Sequence, residues 1–221
     1  MNHSVYFPQR NIKKNYRSIT GHFPSIKNNT SIGFESKLEK AHFLSLEFDN
    51  EVISYQEQPQ IEIYIYGKNK IYSADCYIKR SKNSNKKDSI VEVKYTNEIE
   101  KRKDYFEKKF ESAKTSVNKL NLDFEVYTEK IHSEIYLDNL DFLYRYKLQP
   151  IENKYEDQIL EMINKNNKIS AFDLANLISK NPIEYGLISN CIWDLVCKEK
   201  LKSDLVLAKI TMNSLLELSY E

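Results

Sequence analysis

The chain has 221 residues, of which 41% are hydrophobic and 29% charged, and its formal net charge is +1. This is the composition of a folded globular protein, so a disordered chain is excluded. No apolar stretch approaches the roughly 20 residues that cross a bilayer, and the first 14 residues lack the apolar core of a signal peptide. We therefore expect a cytoplasmic protein with no membrane partner.

The cysteines and histidines argue against two classes of site. Cys76, Cys191 and Cys197 are odd in number and lack C-x-x-C spacing, which disfavours both a disulfide framework and a zinc site. The four histidines show no spacing that is typical of metal ligands. We interpret the cysteines as small buried hydrophobic residues.

The start of the chain is basic because it lacks acidic side chains. Residues 1–33 contain five Lys or Arg side chains and no Asp or Glu. Such a basic arm suits contacts to nucleic-acid phosphates, although a solvated tail has the same composition. Within the arm, the candidate DNA-binding residues are Arg17, His22 and Lys27.

The first predicted element is a helix. Between Phe34 and Phe48, apolar residues recur at helical spacing with charged residues between them. Ser31 lies just ahead as a candidate N-cap. Glu35 therefore falls on this helix. Glu39 lies one turn later and can face the same side as Glu35, but we interpret it as a surface residue that pairs with a nearby basic side chain.

Strands and further helices follow a break at Gln58-Pro59. The pattern predicts, in order, a strand over 61–66, a turn over 67–70, a returning strand over 71–78, a strand over 89–95, a charged helix over 98–119, a strand over 124–127 and a helix over 137–147. This mixture predicts an α/β domain over residues 34–150.

After Pro150 the pattern changes to helices. Three are predicted, over 155–164, 171–179 and 184–200, followed by a turn and a strand at 205–208. This order over residues 151–221 resembles a small winged helix-turn-helix domain, and a plain helical cap gives a similar pattern. Residues 152–221 contain eight basic and eleven acidic side chains, which favours docking of a partner protein over reading of DNA.

Charged side chains in an apolar strand mark a candidate site. Glu92 and Lys94 are two residues apart in a strand, so they share one face, and Val93 points to the other. If the strand that carries Asp75 is a neighbour, its carboxylate joins them, and Glu35 can supply a fourth group. Carboxylate oxygens are ligands that Mg²⁺ prefers, and a lysine beside the metal can orient a water molecule.

Several motifs occur in the order seen in the TnsA family of transposase endonucleases. They are Gly21-His22-Phe23-Pro24-Ser25, Phe34-Glu35-Ser36-x-Leu38-Glu39, Leu46-Glu47-Phe48-Asp49, Gln58-Pro59, Tyr72-x-Ala74-Asp75 and Ile90-Val91-Glu92-Val93-Lys94. The resemblance covers roughly residues 17–148. It departs from the family at Ala74, where proline is frequent, and at Glu92, where one member has glutamine.

The resemblance implies a restriction-endonuclease-like fold, in which a mixed sheet is flanked by helices. It also implies Mg²⁺, or Mn²⁺ in its place, bound by Glu35, Asp75, Glu92 and the backbone carbonyl of Val93, with Lys94 orienting the attacking water. The implied activity is hydrolysis at the 5′ ends of a transposon. The implied partners are double-stranded transposon-end DNA, a DDE-type transposase and an AAA+ regulator, which docks on the C-terminal domain.

Two other functions remain open from the sequence. One is a stand-alone nuclease of DNA repair or phage defence, because fold and metal site are shared between such enzymes. The other is a non-catalytic DNA-binding adaptor. The cluster of charges around Glu92 argues against the adaptor, since a scaffold has no need to keep like charges together in an apolar strand.

Overall fold

The chain folds into two compact units, Met1–Ile131 and His132–Glu221, in a computed structural model that describes residues 4–8 and 19–219. The predicted boundary after Pro150 therefore moves to residue 131. Within the described residues, no helix has the length and apolar character needed to span a membrane.

The first unit mixes strands and helices, as the sequence predicts. Its elements are β1 (Gly21–Ser25), β2 (Thr30–Phe34), α1 (Lys37–Phe48), β3 (Val52–Glu57), β4 (Gln60–Ile65), β5 (Lys68–Ser73), β6 (Cys76–Arg80), β7 (Ser89–Val93), α2 (Thr96–Lys101), α3 (Lys103–Asn118) and β8 (Asp123–Tyr127). This mixed α/β architecture is consistent with a restriction-endonuclease-like fold.

A four-stranded mixed sheet forms the centre of this unit, in the order β3-β6-β7-β8. β6 pairs antiparallel with both β3 and β7, whereas β7 and β8 run parallel. A parallel pair needs a long crossover connection, which α2 and α3 provide here. All five residues of β7 are buried, as expected for a central strand.

The predicted hairpin is present but shorter than expected. β4 and β5 join through a two-residue turn at Tyr66 and Gly67, which both have positive φ, of 52° and 73°. Such a turn matches the twist of a hairpin. The predicted four-residue turn and single return strand over 71–78 were wrong, because the chain leaves the hairpin after Ser73 and β6 starts a new pairing.

The first helix starts later than predicted. Phe34 is the last residue of β2, and α1 begins at Lys37 with Ser36 as its N-cap, so Glu35 precedes the helix and Ser31 does not cap it. The Ser36 side chain accepts a hydrogen bond from the Glu39 N–H at 3.0 Å. Ser36-x-x-Glu39 matches the capping-box pattern, so the N-cap lies five residues later than the predicted Ser31.

Part of the predicted basic arm is folded. Residues 21–34 form the antiparallel β1–β2 hairpin of the first unit. Four of the five basic residues of the arm, Arg10, Lys13, Lys14 and Arg17, lie outside the described residues.

A buried glutamate ties the β1–β2 hairpin to α1 and β3. Glu47 is 1% exposed and accepts hydrogen bonds from the hydroxyls of Ser25 at 2.6 Å and Tyr55 at 2.7 Å. Lys27 adds a second link, because its ammonium donates to the carbonyls of Asp49 and Val52 at 2.5 Å each. These polar contacts add to the aromatic packing of Phe23, Phe43 and Tyr55 at the same junction.

The second unit contains four helices and a small sheet among its described residues. They are α4 (Glu134–Leu148), α5 (Glu156–Asn166), β9 (Ile169–Ser170), α6 (Ala171–Ile178), α7 (Pro182–Cys197), β10 (Leu201–Lys202) and β11 (Leu215–Leu218). The strands pair antiparallel in the order β10-β11-β9. Ser170 caps α6 as predicted, accepting from the Asp173 N–H.

A buried amide explains both the shifted boundary and a misplaced strand. Asn139 of α4 is 2% exposed and donates to the carbonyls of Leu205 and Ala208 at 2.9 and 2.8 Å, and its oxygen accepts from the Ile210 N–H. Helix α4 is thereby bound to the loop between β10 and β11. The strand predicted at 205–208 was wrong, since that segment bonds to a side chain and β11 forms at Leu215–Leu218 instead.

We predict that Glu47→Ala lowers the free energy of unfolding by about 3 kcal/mol, because the hydroxyls of Ser25 and Tyr55 lose their buried acceptor. Urea unfolding followed by circular dichroism measures the change. Glu62, exposed on β4, provides the control, and Glu62→Ala should change stability by less than about 0.5 kcal/mol. Equal stability of the two variants would contradict the prediction.

Candidate active site

The candidate site lies where the chain passes from the hairpin into the central sheet. Asp75 occupies the junction between β5 and β6 rather than the return strand of the hairpin. Its N–H donates to the Val91 carbonyl at 3.0 Å, and its carbonyl accepts from the Gln58 N–H at 3.1 Å. Both backbone polar groups of Asp75 are therefore hydrogen-bonded, independently of its carboxylate.

Ala74 takes part in the same arrangement. This residue is 1% exposed, and its N–H donates to the Pro59 carbonyl at 3.0 Å. Proline has no N–H and could not make this hydrogen bond. Alanine in place of the frequent proline therefore allows a hydrogen bond that fixes the backbone immediately before Asp75.

The Asp75 carboxylate lies against β7. Its Oδ2 accepts a hydrogen bond from the Val93 N–H at 2.7 Å. Burial raises the pKa of Asp75 to about 7, and the negative charge of Glu92 is the second cause. The Val93 N–H and the Lys94 ammonium act in the opposite direction. Two carboxylates close enough to repel each other therefore share a site that is largely shielded from water.

Glu92 is the buried member of the pair. Its side chain is 5% exposed, and its Oε1 lies 3.9 Å from the Lys94 Nζ and 3.2 Å from the Lys109 Nζ. The Tyr72 hydroxyl donates to Oε2. Burial and the charge of Glu92 raise the pKa of Tyr72, so its hydroxyl keeps its proton and remains a donor.

Lys109 and Tyr72 were missed as site residues by the sequence analysis. Lys109 lies on α3 at the i+3 position from Phe106 and the i−4 position from Ala113, both of which are buried. A lysine on the apolar stripe of a helix is a signal that could have identified it. Tyr72 was part of a recognised motif, but an aromatic residue in a strand is more often only a core residue.

The structure separates the roles of Glu35 and Glu39. The Glu35 N–H donates to Glu39 Oε2 at 2.9 Å, and Glu35 is exposed. Glu39, interpreted from the sequence as a surface residue, is close enough for its charge to raise the pKa of Asp75. The capping carboxylate of α1 is thus the second acidic group, after Glu92, that raises the pKa of Asp75. The role of Glu35 as a ligand stays a prediction.

The fit of a metal ion depends on the carboxylate pair. Among residues 4–8 and 19–219, no group of three or more His, Cys, Asp or Glu side chains is arranged to bind a metal ion, so Glu35, Asp75 and Glu92 do not converge as one set. Mg²⁺ is often held by only one or two carboxylates, with waters completing its shell. The oxygen donors and mutual repulsion of Asp75 and Glu92 fit such an ion.

The three candidate DNA-binding residues are placed differently. Arg17 lies outside the described residues. His22 is exposed on β1 and remains accessible to a phosphate. The ammonium of Lys27 is engaged by two backbone carbonyls after α1, which fits a structural role for this residue.

We predict that Asp75→Asn stabilises the metal-free protein at pH 8 by about 2–4 kcal/mol and has little effect at pH 4. A raised pKa means that the folded state binds more protons than the unfolded state between about 4 and 7, so wild-type stability falls as the pH rises through this window. Urea unfolding in EDTA at several pH values measures the difference. Glu62→Gln is the control and should not change the pH dependence of stability. An Asp75→Asn variant that is less stable than wild type at pH 8 would contradict the prediction.

Comparison with known proteins shows one similarity, which covers part of the first unit. No curated protein matches the chain. Residues 49–129, however, match the family described as TnsA-like endonuclease N terminal. The matched segment runs from the end of α1 past β8 and contains Asp75, Glu92 and Lys94. This segment of the first unit is thus similar to the N-terminal domain of TnsA-like endonucleases.

Proposed function

We propose that this protein is a divalent-cation-dependent DNA endonuclease that cuts the 5′ ends of a Tn7-like transposon during cut-and-paste transposition. The observation that carries the proposal is the buried pair of Asp75 and Glu92 beside two lysine ammonium groups. Like charges at this depth are costly without a cation, and two carboxylates with a lysine match the needs of phosphodiester hydrolysis.

Each group at the site has a distinct task in this proposal. Asp75 and Glu92 would hold Mg²⁺, or Mn²⁺ in its place, together with the carbonyl of Val93, and Glu35 is proposed as a further ligand. The bound ion would supply Lewis-acid stabilisation of charge on the scissile phosphate. The Lys94 side chain is 27% exposed, so its ammonium can contact a water molecule that enters from solvent.

The sequence of bond changes follows from these tasks. A water molecule beside Lys94 attacks the phosphorus in line with the leaving 3′ oxygen. The products are a 5′-phosphate and a 3′-hydroxyl, and no covalent intermediate with the protein is required. Tyr72 keeps its proton throughout and holds Oε2 of Glu92 in position.

The second unit is proposed to be a winged-helix-like docking module. The elements α5, β9, α6, α7, β10 and β11 follow one another in the order of a winged helix-turn-helix, which supports this assignment. The sheet order β10-β11-β9 supports it as well. Helix α7 contains no Lys or Arg, and its exposed positions include Ile183 and Leu187. A helix that reads DNA needs donors for phosphates and base edges, so this surface fits a protein partner better.

The proposed partners follow from the family and not from the contacts. We propose that a DDE-type transposase cuts the 3′ ends and supplies most of the sequence specificity. An AAA+ regulator is proposed to dock on the second unit. Double-stranded DNA of the transposon ends is the proposed substrate of the first unit.

Strand cleavage of end-containing duplex DNA tests the proposal, with the cognate transposase and regulator present and Mg²⁺ supplied. We expect cleavage at the 5′ ends and complete loss of cleavage with EDTA. In Asp75→Ala we expect a loss of more than about a hundredfold, since changing a residue that only orients a metal ligand already costs about 10–100-fold. Asp104→Ala, at an exposed position of α3, is the matched control and should cut like wild type.

Two results would contradict this function. If Asp75→Ala cuts as well as the Asp104→Ala control, the carboxylate pair is not the catalytic site. If the 5′ strands remain intact with all partners and metal supplied, the nuclease assignment fails and a DNA-binding adaptor becomes the better description.

A further inference from the structure

Lys109 is a second lysine at the carboxylate pair and belongs to a different element from the first. Its Nζ lies 3.2 Å from Oε1 of Glu92, closer than the Lys94 Nζ at 3.9 Å. Lys94 follows directly after β7, two residues from Glu92, whereas Lys109 reaches the same oxygen from α3. Two ammonium groups therefore share one carboxylate oxygen.

The position of this ammonium is fixed by its surroundings. The Lys109 Nζ lies 4.4 Å from the ring centroid of Tyr72 and 5.8 Å from that of Phe106, and the side chain is 18% exposed. Cations over aromatic faces are stabilised most when they are partly desolvated. Lys109 is thus held against Glu92 by two rings and a charge, unlike a lysine that moves freely in solvent.

A divalent cation and the Lys109 ammonium would compete for the carboxylate of Glu92. Tyr72 donates to Oε2, and both lysines approach Oε1. A carboxylate has lone pairs for additional partners, but an ammonium at 3.2 Å from a ligand oxygen repels any dication bound to that oxygen. Removing the positive charge of Lys109 leaves the pair more negative and therefore a stronger cation site.

We propose that Lys109 is a positioning residue that holds Glu92 in place and competes with the divalent cation for this carboxylate. The inference rests on the proposed function of the site. Lys109 thereby sets how much metal the protein binds before DNA arrives.

A purely structural role for Lys109 makes the opposite prediction. If the ammonium only supported the folded site, its removal would loosen Glu92 and weaken cation binding. If it competes, its removal tightens cation binding even where stability falls. The two roles are therefore separated by the direction of the change in metal affinity, which does not depend on catalysis.

Mn²⁺ binding to the metal-free full chain, followed by electron paramagnetic resonance without DNA, tests the proposal. We expect Lys109→Met to lower the Mn²⁺ dissociation constant by about tenfold, because a neighbouring positive charge is removed. Lys109→Arg keeps the charge and should bind Mn²⁺ like wild type. Lys108→Met, at the exposed adjacent position, is the matched control and should also be unchanged.

The outcomes separate this inference from the proposed function. Unchanged or weaker Mn²⁺ binding in Lys109→Met overturns the proposed competition. If Asp75→Ala loses Mn²⁺ binding in the same series, the proposed metal site is still supported. If wild type and Asp75→Ala bind Mn²⁺ equally or not at all, the proposed metal site fails and the competition fails with it. Lys109→Gln, a polar variant of similar length, replaces Lys109→Met if the latter does not fold.

Discussion

The repulsion between Asp75 and Glu92 is the constraint around which the first unit is arranged. Two carboxylates in a largely buried site are tolerated because positive and hydrogen-bonding groups surround them. The N–H of Val93 contacts one carboxylate, and the ammonium groups of Lys94 and Lys109 contact the other. β7 supplies the buried core of this arrangement, and its neighbours supply the balancing groups.

The sequence predicted the residues of the pair better than the path of the chain around them. Glu92 and Lys94 follow from strict alternation, which is a local property of a strand. Asp75 was assigned to a return strand, whereas it lies between β5 and β6. The break between β5 and β6 arises because β6 pairs with β3 and β7. Pairing between strands that are distant along the chain cannot be predicted from the local sequence of one strand. β3 itself was not predicted, for the same reason.

Contributions from distant helices were the least predictable part. Lys109 has the composition of a surface residue, and only its position on the buried stripe of α3 distinguishes it. Glu39 was assigned to the surface because a glutamate on a charged helix more often pairs with a nearby basic side chain. Once Ser36 is the N-cap, Glu39 lies in the first turn and its charge acts on Asp75. The helical pattern alone did not resolve which neighbours this carboxylate has in the folded chain.

The backbone of Asp75 has a mechanical consequence. One side of the residue is hydrogen-bonded to Val91 in the sheet and the other to Gln58, just ahead of the hairpin. The hairpin is a separate two-stranded sheet, joined to the central one at this junction. Because this one residue joins the two sheets, we expect the position of its carboxylate to depend on how the hairpin packs against α3, a packing that involves Ile61, Ile63, Ala113 and Val117.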